Sequence, residues 1–196
     1  MKESNYKNYG APIVVLVAIC LVITFALALV NSFASPVIAA NEKAAADANR
    51  TELLPEGDAF TEYKGELLAT DDGKVVIQDV YTADNGAGVV ITAVTKSFGG
   101  DLTEMIGINS DGAITGVVVT KHADTAGLGT KAHDPEYLKQ YIDVTELNAT
   151  AAKDEAKAGN GITYVTGASI SSNAVHYGVY EALKQYEARG GVSSGE

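Results

Sequence analysis

Beyond residue 30 this 196-residue chain has no cysteine. Its one thiol, Cys20, lies inside an apolar run. Disulfides, Cys-ligated iron–sulfur clusters, c-type haem attachment and thiol catalysis are therefore excluded for everything that follows that run. Basic residues are also scarce, with 14 Lys and Arg against 25 Asp and Glu and a formal net charge of −11. Binding to phosphate backbones needs a basic patch, so nucleic acid is excluded as a partner. The acidity reads as a solvated, soluble surface. The three histidines, His122, His133 and His176, have no metal-ligand spacing and no cysteine partner. No metal site is expected, and the three read as surface or partner-facing residues. No internal repeat and no second domain are visible.

Charge is missing altogether from Ala11 to Val30, where Thr24 is the one polar interruption. About 20 apolar residues at 1.5 Å rise span a hydrocarbon core of roughly 30 Å, so the run reads as a membrane helix in contact with lipid. A secretory signal is the rival, and its apolar core is about 7–15 residues, shorter than this one. Small residues after Ser35-Pro36 keep a cleavage site in play. A lipoprotein signal does not fit, because Cys20 is mid-span and follows bulky Ile19. Lys2 and Lys7 precede the run against Glu3, and the next charges are Glu42 and Lys43. The positive-inside rule then places the N-terminus in the cytoplasm and the rest outside it.

The remaining chain is expected to be α+β. Domain limits are set at 1–10 for a cytoplasmic N-terminus, 11–33 for the transmembrane helix and 34–58 for a connecting helix stopped by Pro55 and Gly57. A single extracytoplasmic domain follows over 59–189, then a flexible tail over 190–196. Strand character appears at Val75–Ile77, Val80-Tyr81 and Val89–Val94, with turn signals at Asp71-Asp72-Gly73 and Asp84-Asn85-Gly86. The clearest hairpin runs from 103 to 121 around Ser110-Asp111-Gly112. Asp134-Pro135 opens a short helix to about 141. A last helix over about 171–188 carries Ala174, Val175, Gly178, Val179, Ala182, Leu183 and Tyr186 on one face. The architecture is thus a mostly antiparallel sheet with a C-terminal helix.

Two stretches carry chemistry. Thr166-Gly167-Ala168-Ser169 stands immediately before the last helix. Free amides at a helix start and the helix dipole favour an anion beside Ser169, and the small residues before it admit close backbone approach. Ser171 or Ser172 is a natural N-cap. On composition alone, a Ser-rich structural cap accounts for the stretch at least as well. A serine hydrolase does not fit, because Gly167-Ala168-Ser169-Ile170-Ser171 lacks the second glycine of a nucleophile elbow and His176 sits seven positions on in the same helix. The second stretch is Ala123-Asp124-Thr125-Ala126-Gly127-Leu128-Gly129, which follows the hairpin. Its glycines allow a tight loop against a flat ligand, with Leu128 over a ring face; the plain alternative is a turn. Phe98-Gly99-Gly100 forms a further glycine pair before the hairpin. Tyr164 could stack on a ring, though such a residue more often belongs to the core. The Asn49-Arg50-Thr51 and Asn148-Ala149-Thr150 triplets are too common to signify.

One apolar span, an Asp-Thr-Ala-Gly-Leu-Gly loop after a hairpin, and Thr-Gly-Ala-Ser opening a C-terminal helix occur in that order. Together they resemble the G subunit of the Rnf complex, an ion-pumping ferredoxin–NAD oxidoreductase, over nearly the whole chain. The C subunit of the sodium-pumping quinone reductase is related. The resemblance implies FMN joined through its phosphate to Ser169, attached by a flavin transferase that uses FAD and magnesium. Thr166, Gly167 and Ala168 match the positions before the attachment residue. Thr125, Gly127, Leu128 and Gly129 match the loop that packs on the flavin. The implied role is a carrier of single electrons between other membrane subunits, with no substrate turnover of its own. Three positions depart from the family pattern. Thr163 stands where an Asp is common, Ser169 where the acceptor is usually Thr, and Asp124 and Ala126 replace Glu and Pro. A flavin carrier of another extracytoplasmic chain and a cofactor-free, membrane-tethered binding module are the alternatives. Flavin absorbance separates both kinds of flavin carrier from the binding module, and co-purifying polytopic subunits separate the two carriers.

Overall fold

A computed structural model describes residues 10–70, 73–148 and 162–191, and divides into two units, Met1–Asp47 and Ala48–Glu196. The charged N-terminal flank, the Asp71-Asp72 turn and the tail from 192 fall outside the described residues. Helix α1 (Ala11–Leu53) is one element across both expected helical segments. Over residues 11–30 it is apolar all round, with Ile13, Leu16, Phe25 and Val30 each more than half exposed. It is long and apolar enough to cross a membrane. A helix without a polar face suits lipid rather than water. Pro36 sits inside it without breaking it.

The second unit begins with the last turns of α1. The chain leaves the helix after Leu53, and Leu54 and Gly57 close a tight exit by donating to Arg50 and Leu54 carbonyls at 3.0 and 2.9 Å. Five strands follow: β1 (Phe60–Glu62), β2 (Val75–Ala83), β3 (Gly88–Ser97), β4 (Gly100–Asn109) and β5 (Ile114–Lys121). They form one antiparallel meander in the order β1-β2-β3-β4-β5. The β4–β5 turn falls at Asp111-Gly112, as the sequence indicates. Gly112 takes a positive φ of 83°, and Asn109 Oδ1 accepts from the amides of Asp111 and Ala113. The β3–β4 hairpin is a tighter one, with Phe98-Gly99 alone between paired Ser97 and Gly100.

After β5 come a 3-10 turn (Gly129–His133), a short helix α2 (Pro135–Leu138), a second 3-10 turn (Lys139–Tyr141) and the long helix α3 (Ser169–Ala188). Asp134 caps α2 by accepting from the Glu136 amide at 3.0 Å, with Pro135 at the first helical position. The expected apolar face of α3 is buried at every named position. Val175, Val179, Ala182 and Leu183 pack against Val80, Ile91, Ile106 and Ile108 of the sheet. Each large aliphatic side chain contributes about 1.5–3 kcal/mol by leaving water. The opposite sheet face is covered by Leu53 and Leu54, with Ala83, Val90 and Met105 beneath them. β3 is consequently buried on both faces.

One core side chain is unexpected. Glu104 of β4 is fully buried, and neither carboxyl oxygen has a hydrogen-bond partner among the described residues. Gly178 of α3 makes the room, since a Cβ there would stand 1.7 Å from Glu104 Oε1. Thr95 of β3 and Tyr141 are its other polar neighbours. Burial pushes the Glu104 carboxyl well above its ordinary range. The unfolded chain then ionises near pH 4.5 while the folded chain keeps the proton. Stability is present in full below that pH and falls as pH rises through the folded group's titration. Glu104→Gln is expected to remove this component and flatten thermal stability against pH in detergent. An unchanged profile would show that Glu104 does not hold its proton.

Candidate functional site

The last helix starts two residues earlier than its periodicity indicates. Its N-cap is Ala168, which offers no side-chain acceptor, and Ser169 is its first residue. Ser171 and Ser172 are therefore inside the helix rather than capping it. Ser172 Oγ accepts from the Val165 amide at 3.0 Å, and the Ser171 hydroxyl lies beside the Asp124 carboxylate and helps hold it charged. Both are buried, whereas Ser169 and Thr166 are exposed. The first-turn amides of α3 thus lack a side-chain cap beside an exposed hydroxyl, which is the setting that favours an anion.

The two sequence motifs meet here. A cleft of about 170 Å³ is lined by Thr125, Leu128 and Gly129 from one side and by Gly167, Ala168 and Ser169 from the other. Leu128 Cδ1 stands 3.4 Å from where a Cβ on Gly167 would lie, so the side chain covers the loop before α3. Phe98, Ile170 and Ser171 complete the lining. Sequence reasoning missed these three as site residues, although it marked the glycines after Phe98. Thr166 and Gly127 do not line the cleft. Small-molecule pockets are typically about 300–1,000 Å³. This cleft is smaller than that, so a ligand of such size would extend over its rim. That rim is apolar: Phe98 is 70% exposed, Ile170 54% and Leu128 45%.

The two loop glycines serve different ends. Gly127 has a positive φ of 75° and open space around its Cα. Gly129 is needed for close approach: a Cβ would lie 2.8 Å from Asp124 Cβ and 2.9 Å from Ser171 Oγ. Its bare Cα faces protein as well as cleft, a close approach that neither the ligand reading nor the plain-turn reading of the sequence specifies.

Asp124 is buried behind the loop. It accepts from Ser97 Oγ at 2.6 Å and from the Gly99 amide at 2.8 Å. Burial alone raises its pKa, but the bonds from Ser97, Gly99 and Ser171 and the neighbouring His133 outweigh burial and hold the carboxyl below its ordinary value. His133 Nε2 lies 3.0 Å from Asp124 Oδ2, off the line of a well-formed hydrogen bond. Burial and the adjacent His122 lower the His133 pKa against the pull of Asp124.

The expectation that all three histidines face outward fails at two of them. The His133 side chain is only 7% exposed. His176 is buried, with Nε2 2.6 Å from the Asn148 carbonyl and Nδ1 3.4 Å from the Tyr141 hydroxyl. The His176 imidazole is buried where polar partners meet both ring nitrogens, and His133 is buried beside the Asp124 carboxylate; periodicity shows neither neighbourhood. Tyr164 packs on the main core and not on the cleft. No group of three potential metal ligands occurs among the described residues. The arrangement fits a phosphate ester at Ser169 carrying a flat, largely apolar ring over Leu128 and Phe98.

Residues 97–184 match the model of the FMN-binding domain, a span that opens at the Ser97 end of β3 and takes in both motifs. A Methanosarcina acetivorans protein, named as the G subunit of an ion-translocating oxidoreductase complex, is 30% identical over 71% of this chain and 74% of its own. The G subunit of the proton-translocating ferredoxin:NAD(+) oxidoreductase complex of Clostridium ljungdahlii is 28% identical, covering 85% of each chain. The G subunit of the Na(+)-translocating ferredoxin:NAD(+) oxidoreductase complex of Acetobacterium woodii is 28% identical over 88% of this chain and 89% of its own. Relatives named for different ions are equally similar, so overall identity does not select the ion.

Proposed function

We propose that this chain, which belongs to the G-subunit family of ion-translocating oxidoreductase complexes and carries an FMN-binding domain, holds its FMN as a phosphoester on Ser169 and passes electrons through it between membrane subunits. The observation that carries the reading is the cleft itself, where the Leu128 loop and the Gly167–Ser169 segment, 38 or more residues apart in sequence, form opposite walls. FMN supplies one-electron and two-electron chemistry that no side chain here provides. The chain's own groups bind and orient it. The first-turn amides of α3, which lack a side-chain cap, would receive the phosphate. Leu128 and Phe98, which line the cleft, would cover the ring and limit water at it.

Attachment requires a flavin transferase acting on FAD. The Ser169 Oγ–P bond forms, the bond between the two phosphates breaks, AMP leaves and the hydroxyl proton is released. Thr163, at the position where the family often has an acid, makes backbone contacts among the described residues: its amide donates to Gln140 Oε1 and its carbonyl accepts from Tyr137, both at 2.9 Å. The partners in this reading are the other membrane subunits of an Rnf-type complex, with residues 11–33 in the lipid and the 59–189 domain outside the cytoplasm.

Full-length chain purified from cells containing the transferase should be yellow, and its flavin absorbance should stay with the polypeptide in denaturant. A colourless chain returns the balance to a cofactor-free tether. Orientation has its own test. A protease that cannot cross the membrane should digest the domain in intact, wall-stripped cells. Complete protection until lysis would contradict both the topology and an external electron path.

A further inference from the structure

We propose that Asp124 is the positioning residue of the flavin cleft, its carboxylate holding the β3–β4 turn, the Asp124–Gly129 loop and the first turn of α3 in one arrangement. The proposal rests on reading the cleft as the FMN site, but the clamp is a property of the chain without flavin. Each wall of the cleft reaches the same carboxylate. Ser97 Oγ and the Gly99 amide bring the turn that carries Phe98, at 2.6 and 2.8 Å. Ser171 brings the helix turn that begins at Ser169: a Cβ on Gly129 would stand 2.9 Å from its Oγ and 2.8 Å from Asp124 Cβ, so hydroxyl and carboxylate-bearing side chain pack side by side. Thr125 follows Asp124 directly, and its carbonyl accepts from Leu128 and Thr130 at 3.2 and 3.4 Å, closing the loop.

Two glycines are shaped to this convergence. A Cβ on Gly99 would lie 2.1 Å from the Ala123 carbonyl oxygen, so the hairpin tip sits directly on the strand exit. A Cβ on Gly129 would wedge Asp124 from Ser171. Buried acceptors that collect several donors are costly to leave unpaired, and one such group fixes the relative placement of all its donors. A carboxylate serves here because it accepts from several donors at once. Asp124 is not itself a wall of the cleft; it acts through Gly99, Ser171 and the loop.

The test uses the full-length chain in detergent, first without flavin. Asp124→Ala is expected to speed amide exchange at 97–100 and 169–172 by about tenfold, the factor a net hydrogen bond provides, with β3 and β4 centres unchanged. Gly129→Ala keeps the carboxylate but drives a methyl between Asp124 and Ser171. It is expected to loosen 169–172 more than the Gly99 amide, which still has a carboxylate to donate to. In chains loaded with flavin, both variants should alter the visible circular dichroism of the flavin. Exchange unchanged at both segments in Asp124→Ala, or raised equally throughout the sheet, would overturn the clamp. If the parent takes up no flavin, the site reading fails while the exchange measurement still decides the clamp. If Asp124→Ala does not fold, the Gly129→Ala pattern decides it.

Discussion

Ser169→Ala is expected to abolish covalent flavin. In a denaturing gel the parent band fluoresces under ultraviolet light and the variant band does not. The reason lies in how the four hydroxyls around the start of α3 are disposed. Ser171 is 2% exposed and packed beside Asp124, and Ser172 is fully buried and engaged with Val165. Neither can present its oxygen to an incoming phosphorus without dismantling the helix start. Thr166 is exposed but precedes Gly167, whose positive φ of 83° turns the chain before the helix begins. Only Ser169 combines exposure with the first helical position, where amides and dipole favour the developing phosphodiester. Replacing its hydroxyl by hydrogen at an exposed site changes stability by less than about 0.5 kcal/mol. The variant should therefore fold, keep the sheet's exchange protection, and lack the flavin. Ser171→Ala and Ser172→Ala should retain the fluorescent band, weakened by a looser helix start.

Gly129→Val is the second large effect. A branched side chain there meets Asp124 Cβ and Ser171 Oγ inside 3 Å, and neither is the far end of a flexible chain. The loop or the helix turn must move, and displacement of about 1 Å at a reacting centre costs on the order of a hundredfold in rate. Flavin attachment should fall by that order while the sheet remains folded. Gly127→Val has no steric conflict but must hold a positive φ of 75°, so it should weaken the loop and affect attachment less. Leu128→Ala disturbs no turn and uncovers the ring. It should leave attachment intact and shift the flavin's spectrum and potential. If all three leave content, spectrum and potential as in the parent, the loop is only a turn.

How far the sequence reveals this protein differs by element. The apolar run, the β4–β5 hairpin with its Asp-Gly turn and the buried face of α3 are local patterns, and each appears in the structure where its period places it. The two motifs that form the cleft are also legible, as Gly-rich or hydroxyl-rich segments with a helix start. Their meeting is not, because no local rule records that Leu128 lies over Gly167. The start of α3 is misread by two residues for a related reason. Ser171 and Ser172 have the composition of caps, but their hydroxyls serve tertiary partners 47 and 7 residues away. Phe98 illustrates the same limit. Its exposure and its place on the rim follow from a two-residue hairpin set by the pairing of Ser97 with Gly100. Glu104 is invisible in sequence, since an alternating strand does not show which acid faces inward without a partner.

The central claim, FMN esterified to Ser169, is tested most directly by peptide mass spectrometry of chain purified from cells that contain the transferase. The account predicts the mass of FMN less water on the peptide that includes residues 166–172, with fragment ions placing it on Ser169. An unmodified peptide with flavin released on denaturation, or the added mass on Thr166, Ser171 or Ser172, would contradict it.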